Sequence, residues 1–271
     1  MAQIITDITH HGDLIWNLVA RDLKIRYRGS VLGLLWTILN PLFMAVIYIV
    51  FLRLLVGRGI ANEDIIIGVF AWQFTMQCVN SGMNCVTGNA SLVKKVYFPR
   101  IILPLAVNLS ALINFLLTLV VQWVLVAILL MMKGTFLDTA TLWVPLMSLY
   151  HLLFNFSLAL LVAAANVYFR DTQHIVNLLM SAWFFMSPVM YPLSLVETVA
   201  RAHPWIGTWI THVYLLNPMT VIITGYRAMQ LPGVAFPWTA ASVAGLLAPL
   251  VILLIAYIVF QRAQRYFSDL L

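Results

Sequence analysis

Charge is the scarcest property of this chain. Only 9% of its 271 residues are Asp, Glu, Lys or Arg, while 63% are hydrophobic and mean hydropathy is +0.97. Soluble domains run at roughly 45–50% apolar and about 25% charged. A soluble enzyme of this length has too little interior to hide so much apolar side chain, and a disordered chain is excluded for the same reason. Cys78 and Cys85 are too few for a disulfide framework and lie inside an apolar run, where helix packing is their simplest use. No GxxxxGK[ST] run occurs, so the chain has no phosphate-binding loop of that type and is not an ATPase of that class. The net charge of +6 and pI near 9.5 would suit a nucleic-acid partner in a soluble protein. In a membrane protein they mark cytoplasmic loops, and no nucleic acid is expected.

What is present is a series of long apolar windows. A membrane-crossing helix needs about 20 mostly apolar residues. Seven windows free of Asp, Glu, Lys and Arg are long enough: Gly29–Leu52, Ile65–Val93, Ile101–Met132, Thr139–Phe169, Thr172–Val196, Ala202–Tyr226 and Ala228–Gln261. Ala202–Tyr226 holds His203, Pro204, Gly207, His212, Asn217, Pro218 and Gly225, which suits an interfacial or re-entrant segment better than a lipid-exposed crossing. The other six read as spans. Ten of the fifteen basic residues then share one side with both termini, which places the termini in the cytoplasm; a seventh span would strand Arg262 and Arg265 outside. The opening MAQIITDITHHGD has no basic stretch and no cleavage site, so no signal peptide is expected. The six spans contain no acid, which removes the usual carriers of proton or sodium coupling; apart from Cys and Tyr, their only titratable groups are His151 and His174. A transporter built this way draws its energy from another subunit.

The cytoplasmic segments carry most of the pattern. Asp13 can cap a helix that runs through Arg28 before Gly29-Ser30 breaks it. Asn17, Arg21, Lys24 and Arg28 fall in one narrow arc, and Asp22 and Arg26 stand i,i+4 on the opposite face, where they can pair. Such a helix lies in the headgroup layer, with Arg21, Lys24, Arg26 and Arg28 available to phosphates and its other face meeting protein. An ordinary positive-inside anchor is the competing reading. In GNASLVKKVYFPR, Gly88 and Asn89 can end one helix, Ser91 can start another, and Pro99 stops it. Lys94, Lys95 and Arg100 surround Tyr97 and Phe98, a composition that fits either a docking knob or a plain loop. Two polar stripes run within the spans: Gln73, Gln77, Asn80, Asn84, Thr87 and Ser91 in the second, and Ser110, Asn114, Thr118 and Gln122 in the third. They suit interhelical hydrogen bonds or a hydrated path.

Four blocks resemble a known family in order and register: RDLKIRYRGSVLGLLWTILNPL at 21–42, LVKKVYFPRIILPLA at 92–106, NVYFRDTQHIV at 166–176 with SPVMYP at 187–192, and LNPMTVIITGYRA at 216–228. They look like the signature of the polysaccharide-export permeases of the type-2 ATP-binding-cassette (ABC) family, which export O-antigen, teichoic acid and related lipid-linked glycans across the bacterial cytoplasmic membrane. The resemblance implies an all-α integral membrane fold in one permease domain, residues 1–271. It would comprise an interfacial helix within 1–30, a six-span region at 31–261 and a cytoplasmic tail at 262–271. Two copies would form the channel above two separate ATPase subunits. ATP and Mg would bind those partners, leaving this chain without a cofactor.

By the same resemblance, residues 89–99 would be the coupling helix, with Ser91, Lys94, Lys95, Tyr97, Phe98 and Arg100 meeting the ATPase. Asp13–Arg28 would lie beside the lipid gate, Arg21, Lys24, Arg26 and Arg28 drawing in the diphosphate of a polyprenyl-linked glycan. Leu193–Met229 would form short helices that partly re-enter the membrane from outside. The pore would lie between the first and fifth spans. There Trp36, Asn40, Phe43, Trp183, Phe184 and Tyr191 would let sugar faces slide past without fixing one register. Two other readings share the composition: a drug or small-lipid exporter of the same superfamily, and a membrane enzyme that transfers lipid-linked sugars. In the second, Arg201, His203, His212 and Arg227 would bind diphosphate on the outer side.

Overall fold

The computed structural model describes residues 11–27, 29–33, 35–56, 60–169, 171–203, 207 and 209–271, apart from the side chains at 26, 27, 53, 55 and 56. Among the described residues every regular element is helical. Helix α1 (Gly12–Tyr27) carries Asp13 in its first turn, where a carboxylate favours the helix dipole. Gly29, at φ +77°, turns the chain out of it through a conformation that other residues rarely adopt. Ile15, Leu18 and Val19 form the buried face of α1, packed on the helix Ile102–Met131. Arg28 lies outside the described residues.

After α2 (Leu35–Val56) and α3 (Asn62–Asn84), a 3-10 turn at Thr87–Asn89 leads into α4 (Ala90–Lys95), a helix of only 6 residues. Then come α5 (Ile102–Met131) and, past a 3-10 turn at Thr139–Trp143, α6 (Val144–Tyr168). The remainder is α7 (Thr172–Phe185), α8 (Leu193–Ala202), α9 (Trp209–Leu216), α10 (Pro218–Gln230), α11 (Ala240–Ala263), a 3-10 turn at Gln264–Tyr266 and α12 (Phe267–Leu270).

Among the described residues, four stretches are long and apolar enough to cross a membrane: Leu35–Leu52, Ile102–Met131, Thr139–Tyr168 and Ala240–Leu270. The protein is thus a multi-pass, all-helical membrane protein. The expected span Thr172–Val196 is not one continuous helix. α7 stops at Phe185 after 14 residues, and α8 starts only at Leu193. Pro188 and Pro192 lack the N–H that a continuing helix needs, so the chain turns between them. The expected span from Ile65 begins earlier, at Asn62, and so takes Glu63 and Asp64 into its first turn.

α3 is the central post, packed against α5 and α6, with α2 on its flank, while α6 also carries α11. Close approach of helices drives association where lipid is as apolar as the side chains. A Cβ on Gly82 of α3 would stand 2.7 Å from the Ala159 Cβ of α6. Side chains that reach neighbouring backbones add to this: Asn166 Nδ2 donates to the Met83 carbonyl at 2.8 Å, and Tyr150 donates to the Leu246 carbonyl. Two apolar clusters result, one around Phe70, Phe74, Phe154 and Tyr226, the other around Ile15, Phe98, Ile102, Phe260 and Phe267.

Candidate functional site

Between α2, α3 and α5 lies a cavity of about 410 Å³. Trp36, Thr37 and Asn40 wall it from α2, Gln73, Gln77 and Asn80 from α3, and Asn114 and Thr118 from α5, over a floor that includes Phe70, Phe74 and Phe115. No described residue lining it carries charge. Gln77 Nε2 is buried there without a hydrogen-bond partner among the described residues. Gln73, Gln77 and Asn80 of that stripe therefore face a cavity, whereas Asn84 bonds back to the Asn80 carbonyl and Thr87 meets Asn166 of α6.

The polar stripe of α5 divides along its length. Ser110 donates to Asp22 of α1 at 2.5 Å, and Gln122 donates to Gln230 of α10 at 2.7 Å. Thr118 bonds back to the Phe115 carbonyl at 2.8 Å while lining the cavity. One helix face thus serves packing at both ends and a hollow in the middle.

The aromatic residues expected along a sugar path do not converge on one wall within the chain. Trp36 and Asn40 line the cavity, and Phe43 points outward from α2. Trp183 packs edge-on to Trp72, ring centroids 5.7 Å apart, and its indole N–H donates to Asn217 Oδ1 at 3.1 Å. Phe184 meets Tyr48 of α2 at 5.4 Å. Tyr191 donates to the Phe185 carbonyl at 2.9 Å and stands 3.1 Å from the Tyr214 hydroxyl.

At the end of the bundle where α3 finishes, Arg21 donates to Asn89 Oδ1 at 2.5 Å, tying α1 to the turn before α4, and Lys24 is exposed. Asp22, expected to pair with Arg26, takes the Ser110 hydroxyl; the Arg26 side chain and Arg28 lie outside the described residues. Ser91, Lys94 and Lys95 are exposed, and Tyr97 projects fully into solvent at 103% relative exposure. Phe98, its neighbour, turns inward and is 7% exposed, because Val96 ends α4 in an extended conformation that sends successive side chains to opposite faces. Arg100 faces inward too, donating to the Gln264 carbonyl at 2.7 Å and to Ser268 Oγ at 2.5 Å.

A third cluster escaped the reading of the sequence. Arg227, 2% exposed, turns its guanidinium inward at the end of the bundle where α3 begins. Nε pairs with Asp64 Oδ1 at 3.2 Å, Nη1 donates to the Tyr191 carbonyl at 2.9 Å, and Nη2 donates to the carbonyls of Asp64 at 2.8 Å and Val189 at 3.1 Å. A Cβ on Gly68 would collide with the Val189 carbonyl, so glycine is what allows the 186–192 turn to lie against α3. Beside this pair, Lys133 meets the buried Glu63 at 2.5 Å. Two acids opening α3 and one basic residue in an otherwise uncharged segment were the available signal. With most of its N–H groups committed to Asp64, Val189 and Tyr191 and its side chain buried, Arg227 is not presented to a diphosphate such as a sugar transferase would hold there. Among the described residues, no three His, Cys, Asp or Glu side chains gather to hold a metal ion.

The sequence profile of ABC-2 type transporters matches residues 13–231. Over 231 residues the chain is 33% identical to the O-antigen export system permease protein RfbA of Myxococcus xanthus, covering 84% of each chain. It is also similar to two proteins of the same description from Klebsiella pneumoniae. One is 28% identical over 82% of this chain and 81% of its own, the other 29% identical over 82% of each.

Proposed function

Because the chain belongs to the ABC-2 type transporter family, we propose that it is the channel-forming permease subunit of a bacterial inner-membrane exporter of polyprenyl-diphosphate-linked glycan, O-antigen or similar. The observation that carries this reading is the uncharged cavity between α2, α3 and α5. Amide and hydroxyl groups beside aromatic walls match the hydroxyls and apolar faces of sugars, and about 300–1,000 Å³ is the usual size of a ligand cavity. The unpartnered Gln77 Nε2 is a donor in want of such an acceptor.

In this reading six helices span the membrane, α3 and α7 joining the four long apolar stretches, with both termini in the cytoplasm. Met219 of α10 stands against Thr75, whereas Arg227 of the same helix meets Asp64. Those α3 positions are about 16 Å apart along the axis, which supports an α9–α10 hairpin that dips into the membrane from outside. The apolar outward faces of α2 and α7, including Phe43, Ile47, Leu178 and Phe185, suit contact with lipid and with a second copy of the chain. Energy comes from two separate ATPase subunits that bind ATP and Mg, met by Lys94, Lys95 and Tyr97 at the coupling helix α4.

The lipid diphosphate is drawn to Arg21, Lys24, Arg26 and Arg28 at the cytoplasmic surface. Closure of the ATPases pushes α4 and changes the separation of α2 and α7. An uncharged path suits the sugar chain but makes passage of the diphosphate the costly step.

Deleting the gene tests the substrate. Polyprenyl-linked glycan should accumulate inside the cell and disappear from the surface; unchanged surface glycan would overturn the reading. Gln77→Leu should lower export while leaving the thermal midpoint of the purified complex unchanged. Undiminished export would remove the cavity from the path.

A further inference from the structure

We propose that the C-terminal segment, residues 264–271, is a clamp that holds the coupling helix to the end of α11, with Arg100 as its positioning residue. This rests on the reading of α4 as the element that meets the ATPase. A helix of 6 residues does not hold itself in place, so something else must set its position. Arg100 follows the loop that leaves α4, and one guanidinium makes two polar links to the C-terminal segment. Nη1 donates to the Gln264 carbonyl at 2.7 Å and Nη2 to Ser268 Oγ at 2.5 Å.

The first of those acceptors stands where α11 ends and also takes the Phe267 backbone N–H of the 3-10 turn; Arg100 uses its second lone pair, at a helix end whose dipole favours a cation. The planar fork of arginine reaches both acceptors at once, whereas a lysine ammonium lacks that fixed fork. The apolar half of the clamp is Phe267, fully buried and edge-on to Phe260 of α11 with ring centroids 5.5 Å apart, in the cluster that also holds Val93 and Phe98. Elsewhere the loop and the C-terminal segment are separated by a cleft of about 710 Å³, with Lys94 and Tyr97 on one side and Gln261 and Arg265 on the other. Arg100 crosses that gap. Tyr168 extends the connection to α6 by donating to the Ala263 carbonyl at 3.1 Å. A push on α4 therefore reaches α11 and α6 through the C-terminal segment as well as through the backbone into α5.

The test uses the assembled complex with spin labels on Lys95→Cys and Asp269→Cys. A single narrow distance should persist between the nucleotide-free and ADP–vanadate states, because the clamp moves with α4. A distance that changes between the two states overturns the proposal. In Arg100→Gln the distribution should broaden and glycan-stimulated ATP turnover should fall about tenfold, the order of a lost charge-assisted hydrogen bond. Arg100→Lys should recover part of that loss, and Ser268→Ala should lose less than Arg100→Gln. A narrow distance and undiminished turnover in both Arg100→Gln and Ser268→Ala would refute the clamp. Tyr97→Ala in the same assay separates the two ideas. Normal stimulation there sinks the docking reading itself, whereas lost stimulation there with normal Arg100→Gln sinks the clamp alone.

Discussion

At the end of the bundle where α3 begins, Asp64 and Glu63 meet Arg227 and Lys133 within the protein, whereas at the end where α3 finishes, Lys24, Lys94 and Lys95 face outward. The first set of pairs joins the first turn of α3 to α10, to the 186–192 turn and to the end of α5, so charge there acts as a cross-brace. The second set of cations is open to solvent, where the proposed function has them meet phosphates and partner subunits. Arg21 and Arg100 are partial exceptions, each bonded to a neighbouring segment, and both steady the surface that presents the others. Charge in this molecule is therefore arranged in two ways at the two ends of the bundle: paired between helices at one and exposed to solvent at the other.

Substitutions should separate those arrangements by size of effect. Arg227→Met should be the most damaging, because it leaves the Asp64 carboxylate and three carbonyls facing an apolar side chain. Breaking one side of a buried pair costs about 3–5 kcal/mol, so the folded yield in detergent should collapse. Arg227→Lys should restore little of it. A near-normal yield for Arg227→Met would show that the brace is dispensable.

Lys133→Ala should cost much less, roughly 1 kcal/mol or below, since the Lys133 side chain is 53% exposed and water can take over part of its role. A small drop in thermal midpoint is expected, and one equal to that of Arg227→Met would contradict the distinction between buried and half-exposed pairs. Tyr97→Ala should leave the midpoint where it is, because the ring touches solvent, and abolish glycan-stimulated ATP turnover in the complex. A stability loss there would mean that the loop end is part of the brace after all.

Much of this was legible from residue order. The arc of Asn17, Arg21 and Lys24 and the glycine after it mark α1, because helix period and the left-handed preference of glycine are local properties, but the helix starts at Gly12 and so takes Asp13, expected as its cap, into the first turn. Thr172–Val196 read as one span because its composition is apolar throughout, whereas α7 stops after 14 residues ahead of Pro188 and Pro192. Tyr97 and Phe98 stood together as one aromatic pair, and only the extended backbone after α4 separates them into an exposed ring and a buried one. The Arg227–Asp64 pair joins residues 163 positions apart, and nothing local announces such a partnership.

By itself the sequence determined that the protein is helical, lies in a membrane and holds its few charges at segment ends, since these follow from composition and periodicity. Periodicity also showed that the polar residues of α3 and α5 share a face. Only the tertiary structure decided what each face meets: Asp22 for Ser110, Gln230 for Gln122, and a hollow for Gln77 and Thr118. The reason is physical. A helix's own period sets which side chains point the same way, but the neighbour they point at depends on how distant segments pack.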